Sequence, residues 1–259
     1  MSLKNFLLLE GTLAGLDAGA RVRIDGSEGH HGARVMRLRT GESILVTDTH
    51  RHQVPAEVIE VDRGAFTVRL SAPSAPAPEI SPRLVLVQAL AKGGRDDAAV
   101  ETATELGVDA IVPWQSERAI VQWKGERAER GREKWTATVH AAVKQSRRAT
   151  IPSVGSALAT PALAAEIRER VDAGALVLLL HEEAADGLSG TIAALSTGQR
   201  PLPPEVWVMV GPEGGVSQSE VSTLRGAGAT PTRLGTEIMR ASSAGPAALA
   251  ALAAAVGRW

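Results

Sequence analysis

Residues 205–220 constrain this chain more than any other segment. Glu205-Val206-Trp207-Val208-Met209-Val210 is an apolar run entered from prolines and reads as a buried strand. It runs into Gly211-Pro212-Glu213-Gly214-Gly215, where residues without a Cβ let the backbone turn sharply and approach a ligand closely. Ser217-Gln218-Ser219-Glu220 follows with the spacing of a capping box, in which the serine accepts from the third helical amide and the glutamate reaches back to the serine amide. Strand, glycine turn and capped helix together place a ligand at the carboxyl edge of an α/β sheet. The pattern is neither G-x-G-x-x-G nor a phosphate loop, which disfavours the common nucleotide-binding folds. A strand-to-helix turn with no ligand fits the same residues.

The remainder of the chain divides in two. Residues 4–71 carry short β-like runs at Arg21–Ile24, Ser43–Val46, Ala56–Val61 and Phe66–Leu70, with a helical turn at His31–Leu38, the spacing of a small barrel. Ala72 through Pro82 is proline-rich and reads as a linker, giving a first domain at 1–72, a linker at 73–82 and a second domain at 83–259. In that second domain strands at Leu84–Leu90, Ala110–Val112, Ala175–Leu180, Val206–Val210 and Thr232–Leu234 alternate with helices. The helices fall at Asp96–Leu106, Arg127–Arg147, Pro161–Val171, Gln218–Gly226 and Ser243–Val256. Such alternation predicts a mostly parallel sheet covered by helices. The last helix is alanine-rich, which suits either core packing or a close seam between two subunits.

Composition narrows the chemistry. The 259 residues are 44% hydrophobic and 22% charged, ordinary for a globular chain, and no uninterrupted apolar run is long enough to span a bilayer. The N-terminus lacks the order of a secretory signal, and Met1-Ser2-Leu3 also fits an expression scar. Cysteine is absent, which excludes disulfides and thiolate metal sites and fits a reducing, cytoplasmic compartment. It also disfavours methylation at pyrimidine carbon 5, which proceeds through a cysteine adduct. The net charge of −1 offers no global attraction for nucleic acid, but Arg118 to Arg148 holds nine Lys or Arg against three Glu. A solvated helix face with pairs such as Glu126–Arg130 accounts for that excess equally well.

The motifs carry a resemblance. G-P-E-G-G-x-S-x-x-E at 211–220, followed by Leu234-Gly235-x-x-Ile238-Met239-Arg240, resembles the C-terminal signature of the SPOUT methyltransferases. Further ordered matches are His30-His31-x-x-x-Val35-Met36-Arg37 with Gly41, and a run from Lys92 through Arg95, Thr104–Val108, Pro113 and Glu117-Arg118. That run resumes at Gln145-Ser146-Arg147-Arg148 and Pro152. Together these resemble, more narrowly, the ribosomal RNA small subunit methyltransferase E family. The resemblance implies a PUA-like RNA-binding barrel, a SPOUT domain with a C-terminal trefoil knot, a homodimer, and S-adenosylmethionine as cofactor. It further implies methylation of uridine N3 in 16S ribosomal RNA, within the 30S subunit. Chain topology rules give no reason to expect the knot.

The same resemblance assigns the cofactor to three loops, at Leu180-His181, at Val210, Gly211, Gly214 and Gly215, and at Leu234, Gly235, Ile238, Met239 and Ser243. Arg240 is the expected catalytic residue, because loss of the uracil N3 proton leaves negative charge that a fixed guanidinium stabilises. Glu213 either orients the loop or takes part in proton removal. The family continues after the arginine with x-Glu-Thr-Ala, whereas here Ala241-Ser242-Ser243-Ala244 stands. Ser243 keeps a hydroxyl and Ser242 loses a carboxylate. His31, Arg34, Arg37, Lys92, Arg95, Arg118, Arg147 and Arg148 are expected to meet RNA, with Trp114 and Trp123 as the possible base stackers. The His pair lacks spaced partners, so no metal is expected. A tRNA or ribose-directed SPOUT enzyme and a catalytically silent RNA-binding protein are the rival readings.

Overall fold

The computed structural model describes residues 3–259; Met1 and Ser2, and with them two residues of the possible scar, lie outside the described residues. The chain forms two compact units. The first runs to Glu79 and also takes in His140–Ile151, so it draws on a segment far along the chain as well as on the N-terminal run.

In the first unit, β1 (Lys4–Leu8), β2 (Arg21–Ile24), β3 (Ser43–Asp48), β4 (Gln53–Val61) and β5 (Phe66–Leu70) form a five-stranded sheet in the order β1-β3-β4-β5-β2. β2 and the first half of β4 alternate buried and exposed residues, as a half-buried strand should. β1 is the strand that periodicity missed: four successive residues, Asn5 to Leu8, are buried, so no alternation marks it. It lies parallel to β3, beyond any hairpin signal. Phe6 and Phe66 meet edge to face at 5.1 Å in the core, with Ile24, Ile44, Val46, Val58 and Val68 around them. Where the sequence predicts a helical turn at His31–Leu38, a short helix α1 (Gly26–His30) passes into a π-helical turn at His31–Val35. The proline-rich segment is packed rather than loose, since the Ser74 and Ala77 N–H groups donate to the Leu16 and Arg51 carbonyls.

The second unit contains β6 (Arg83–Ala89), α2 (Arg95–Glu105), β7 (Ala110–Gln115), the start of α3 (Glu126–Ser146), β8 (Ser153–Val154) and β9 (Leu158–Ala159). α4 (Thr160–Asp172), β10 (Leu176–Leu180), α5 (Leu188–Ser196), β11 (Glu205–Val210), α6 (Gln218–Gly226), β12 (Thr230–Thr232) and α7 (Ala241–Ala255) complete it. All strands are parallel, in the order β12-β10-β11-β6-β7-β8, with β9 also on β7. One face buries Val85, Val87, Val177, Leu179, Trp207 and Met209 under Leu163 and Ile167 of α4 and Leu224 of α6. The other face meets α7. A Cβ at Gly245 would lie 2.8 Å from Leu86 Cδ1, so the helix seats that closely only with glycine there. Ala244, Ala248, Leu249 and Leu252 of α7 are buried within the chain, which makes the alanine-rich face core. Arg258, nearly inaccessible, donates to the Pro82 and Gly107 carbonyls and to Asp109 (Nη1 to Oδ2, 2.6 Å), binding the C-terminus beneath β6 and β7. No described helix is long and apolar enough to cross a membrane.

Candidate active site

Parallel β10, β11 and β12 end side by side, at Leu180, Val210 and Thr232, and the three loops that leave them enclose a cleft of about 650 Å³. That volume suits a small molecule, for which sites run about 300–1,000 Å³. The order β12-β10-β11-β6 sends the chain from β10 inward to β11 and back outward to β12, which brings loops distant in sequence to one edge. The His181 N–H donates to the Thr232 carbonyl at 3.0 Å, joining the first loop to the third. His181 Nδ1 accepts from the Glu183 N–H at 3.2 Å, which leaves Nε2 as the ring's proton-bearing nitrogen when the imidazole is neutral.

The middle loop is shaped by its glycines and by the helix beyond. A Cβ at Gly211 would come within 2.6 Å of Val216 Cγ2, and Gly215 has φ +72°, a left-handed conformation that glycine adopts without strain. The expected capping box is present at α6: the Glu220 N–H donates to Ser217 Oγ (3.1 Å) and the Ser217 N–H to Glu220 Oε2 (3.2 Å). Glu220 does more than cap. It is almost wholly buried and also accepts from the Glu117 N–H, Ser116 Oγ and Thr160 Oγ1. The neighbouring Glu117 carboxylate accepts from Ser217 Oγ (2.6 Å) and Ser219 Oγ. Between them Arg118 Nη1 donates to the Gly214 carbonyl at 3.2 Å, holding the turn from outside.

Most of the expected cofactor residues line this cleft: Leu180, His181, Val210, Gly211 and Gly215, then Leu234, Gly235, Ile238 and Met239. Two lie off it. Gly214 is covered by Arg118, whose Cβ and carbonyl oxygen would both stand 3.3 Å from an added Cβ. Ser243 is exposed on the first turn of α7, where Ala241 and Ala244 are the residues toward the cleft. Arg240 also lines it. Its backbone N-caps α7, its carbonyl accepts from the Ser243 and Ala244 N–H groups, and its exposed guanidinium has no ion pair among the described residues.

Glu213 is engaged. Its Oε1 accepts from Arg95 Nη1 (3.0 Å) and from the Lys92 N–H (3.2 Å). Burial opposes its charge, but its own backbone N–H, that of Lys92 and the Arg95 guanidinium together hold the carboxyl below the ordinary glutamate range. A carboxylate so stabilised is a weak base, which favours orientation of the loop over proton removal. Arg95, expected to meet RNA, is thus a cleft residue, and Lys92 reaches the site through its backbone. Motif reading missed Glu182, Arg233 and Glu237, which also line the cleft; each is next to an expected residue in the loops that leave β10 and β12, and position was the only available signal.

Of the other expected RNA contacts, Arg118 lies in the second unit over the Gly214 turn, and the rest fall in the first unit. Arg34 Nε donates to the Arg63 carbonyl (2.7 Å), Arg148 Nη2 donates to Thr150 Oγ1 (3.1 Å), and Arg37 and Arg147 both adopt positive φ. His31 opens the π-helical turn. The basic segment is partly neutralised, since Arg130, Arg132, Lys134 and Lys144 pair with Glu126, Glu129, Asp97 and Glu28. One stacker needs correction. Trp114 is fully buried, its Nε1 donating to Thr160 Oγ1 at 3.0 Å, because aromatic area is scarce in this chain and the core takes it. Trp123 is half-buried and packs edge to face on Trp135 at 5.1 Å.

A parallel sheet with a glycine-turn cleft at its carboxyl edge, in a chain that also carries a small β unit, is compatible with many chemistries, and the family matches define the class as RNA methyltransferase. The RNA methyltransferase domain family matches residues 78–253 and the RNA methyltransferase PUA domain family matches residues 24–71. The chain belongs to the ribosomal RNA small subunit methyltransferase E family and is an enzyme. It is 40% identical to the family member of Mycobacterium tuberculosis over 94% of this chain and 90% of that one. It is 26% identical to the Bacillus subtilis member over 88% of each chain. Among solved structures, that of the Neisseria gonorrhoeae member bound to S-adenosyl methionine superposes with a TM-score of 0.81, at 28% identity over 97% of both chains.

Proposed function

We propose that this enzyme methylates small-subunit ribosomal RNA from S-adenosylmethionine, by direct transfer to N3 of a uridine. The observation that carries the reading is the glycine-shaped cleft at the ends of β10, β11 and β12 with the Arg240 guanidinium, without an ion pair among the described residues, on its lining. The residues present fit the cofactor: a cradle that a side chain at Gly211 would fill, with Leu180, Leu234 and Met239 lining a space large enough for an adenosyl group. When bound, S-adenosylmethionine supplies a methyl carbon made electrophilic by its sulfonium. The chain's own part is alignment and charge. Arg240 offers a planar, permanently charged fork to the uracil carbonyl oxygens as N3 loses its proton. Arg95 and the Lys92 N–H fix Glu213, and through it the turn at Gly211–Gly215, which would hold the bound cofactor in one orientation toward the base. The absence of cysteine fits direct transfer to nitrogen.

A homodimer within a 30S-directed cycle belongs to the same reading. Ile238 is 84% exposed and Met239 46%, an apolar loop tip beside the cleft that a second copy of the chain would cover. A trefoil knot at the C-terminus is part of the proposed architecture. Calorimetry with S-adenosylmethionine, followed by methyl incorporation into undermethylated 30S particles and mass mapping of the RNA, tests the reading. Methyl found on ribose, on carbon or on transfer RNA would overturn it.

A further inference from the structure

The first unit holds a hollow of about 300 Å³ that the methyl-transfer chemistry does not use. Its wall is formed by β1, the π-helical turn and the end of α3 with the residues just after it; Lys4, Asn5, His31, Met36, Lys144 and Arg147 are the members that matter. Among the described residues no acidic side chain lines it. Lys144 is held by Glu28 (2.6 Å) and Lys4 by Glu42 (3.3 Å), whereas the exposed Arg147 guanidinium has no ion pair or hydrogen bond among the described residues. Arg147 also has φ +55°, a strained backbone for a side-chain-bearing residue. The strain is maintained from below: Gln53 Nε2 donates to the carbonyls of Arg147 (3.2 Å) and Arg148 (3.1 Å).

The same Gln53 Nε2 begins a directed chain. It donates to Thr47 Oγ1 (2.9 Å), and the Thr47 hydroxyl donates to Asn5 Oδ1 (2.8 Å). The chain's polarity orients the Asn5 amide, so its Nδ2 is the outward donor. That Nδ2 has no partner among the described residues although Asn5 is only 6% exposed. An orphaned buried donor costs about 1–3 kcal/mol unless something accepts from it. Beside it sit an imidazole and the apolar Met36, with Val35 of the same π-helical turn 62% exposed. π-Helical turns are rare and concentrate at functional sites.

We propose that this hollow holds a single unstacked nucleotide of the RNA, the Asn5 Nδ2 donating to a base carbonyl oxygen and Arg147 engaging the adjoining phosphate. The proposal rests on RNA being the substrate and names where the first unit grips it. Single-stranded RNA is recognised through splayed bases of this kind.

The two variants to make in the full-length protein are Arg147→Gly and Asn5→Ala, and the probe is a fluorescein-labelled oligouridylate read by anisotropy over a salt series. Glycine relieves the positive φ at 147, so a purely structural arginine predicts equal or higher melting temperature and unchanged RNA affinity. The nucleotide site predicts equal or higher melting temperature with affinity about tenfold weaker and the salt slope reduced by about one phosphate. Asn5→Ala should weaken binding about tenfold with little change in salt slope, because it removes a base contact and no charge. Wild-type affinity in both variants, or no binding of the oligouridylate by the wild-type chain, would overturn the proposal. The fate of the methylation reading is separate: variants that bind RNA normally and methylate 30S particles normally remove this site alone. A wild-type protein that binds oligouridylate through Asn5 and Arg147 but transfers no methyl group removes the uridine N3 assignment alone.

Discussion

Arg240 stands at the junction of two demands, since its backbone caps α7 while its side chain faces the cleft. Arg240→Lys keeps the charge and the cap geometry and loses the planar fork, so turnover should fall about 10²–10³-fold with cofactor affinity near that of the wild type. Single-turnover methylation beside calorimetry separates the two; normal turnover would return Arg240 to a structural role. Glu213 gives a pH-dependent counterpart. Its carboxyl is held below the ordinary glutamate range, burial working against three stabilising donors. Its contribution is therefore complete above the unfolded glutamate pKa and is lost as pH falls through the depressed folded value. Cofactor affinity should weaken on that acid limb, and Glu213→Gln should abolish the limb by making the affinity uniformly weaker. An unaltered acid limb in Glu213→Gln would place the titration elsewhere.

At the scale of elements, the capping box was legible as S-x-x-E, but its energetic weight was not. The spacing shows one helix start, whereas the structure makes Glu220 the common acceptor for β7's exit, the first residue of α4 and the start of α6. Glu220→Ala leaves buried donors at Ser116, Thr160 and Ser217 without an acceptor and should cost about 2–5 kcal/mol. Loosening Arg118 over Gly214 should weaken S-adenosylmethionine binding as well. Chemical denaturation and calorimetry on the same variant check both effects. Gly211→Val places a side chain against Val216 and should abolish cofactor binding with the first unit still folded. Gly235 has open space around it, with Glu237 Oε2 at 3.9 Å the nearest atom, so Gly235→Val should act only by filling the cleft and be the milder of the two.

For the whole molecule, the division of the chain changes what a truncation means. His140–Ile151 belongs to the first compact unit, so removing residues 1–72 strips that segment of the strands it is grouped with. The truncated chain should keep measurable cofactor affinity, because the cleft lies wholly in the second unit, but lose methyl transfer to 30S particles. Equal methylation by the truncated chain would end the two-part view of RNA recognition. Arg258 closes the second unit: Arg258→Ala deprives the partly buried Asp109 of its guanidinium and two carbonyls of their donor, at a cost of about 1–3 kcal/mol. Light scattering with Ile238→Asp bears on the dimer, which the exposed loop tip should support and a charge there should dissociate. A dimer that survives this change uses another surface.

Period and punctuation made much of this protein readable from its residues alone. Apolar runs of five to seven residues between glycines and prolines marked β6, β10 and β11, helical spacing marked α2, α3, α4, α6 and α7, and one glycine turn marked the ligand edge. These are local properties, carried by side-chain volume and backbone freedom within a dozen residues. β1, α5 and the two-residue β8 and β9 escaped, β1 because burial on both faces leaves no alternation to detect, β8 and β9 because two residues carry no period. What only the tertiary structure decided is pairing between distant residues. Glu213 meets Arg95, Gln53 meets the carbonyls at 147 and 148, and Trp114 turns inward to Thr160 rather than outward to a base. The assembly of three loops into one cleft is of the same kind: the strand order β12-β10-β11 is set by which hydrophobic faces bury each other, and no local pattern encodes that choice.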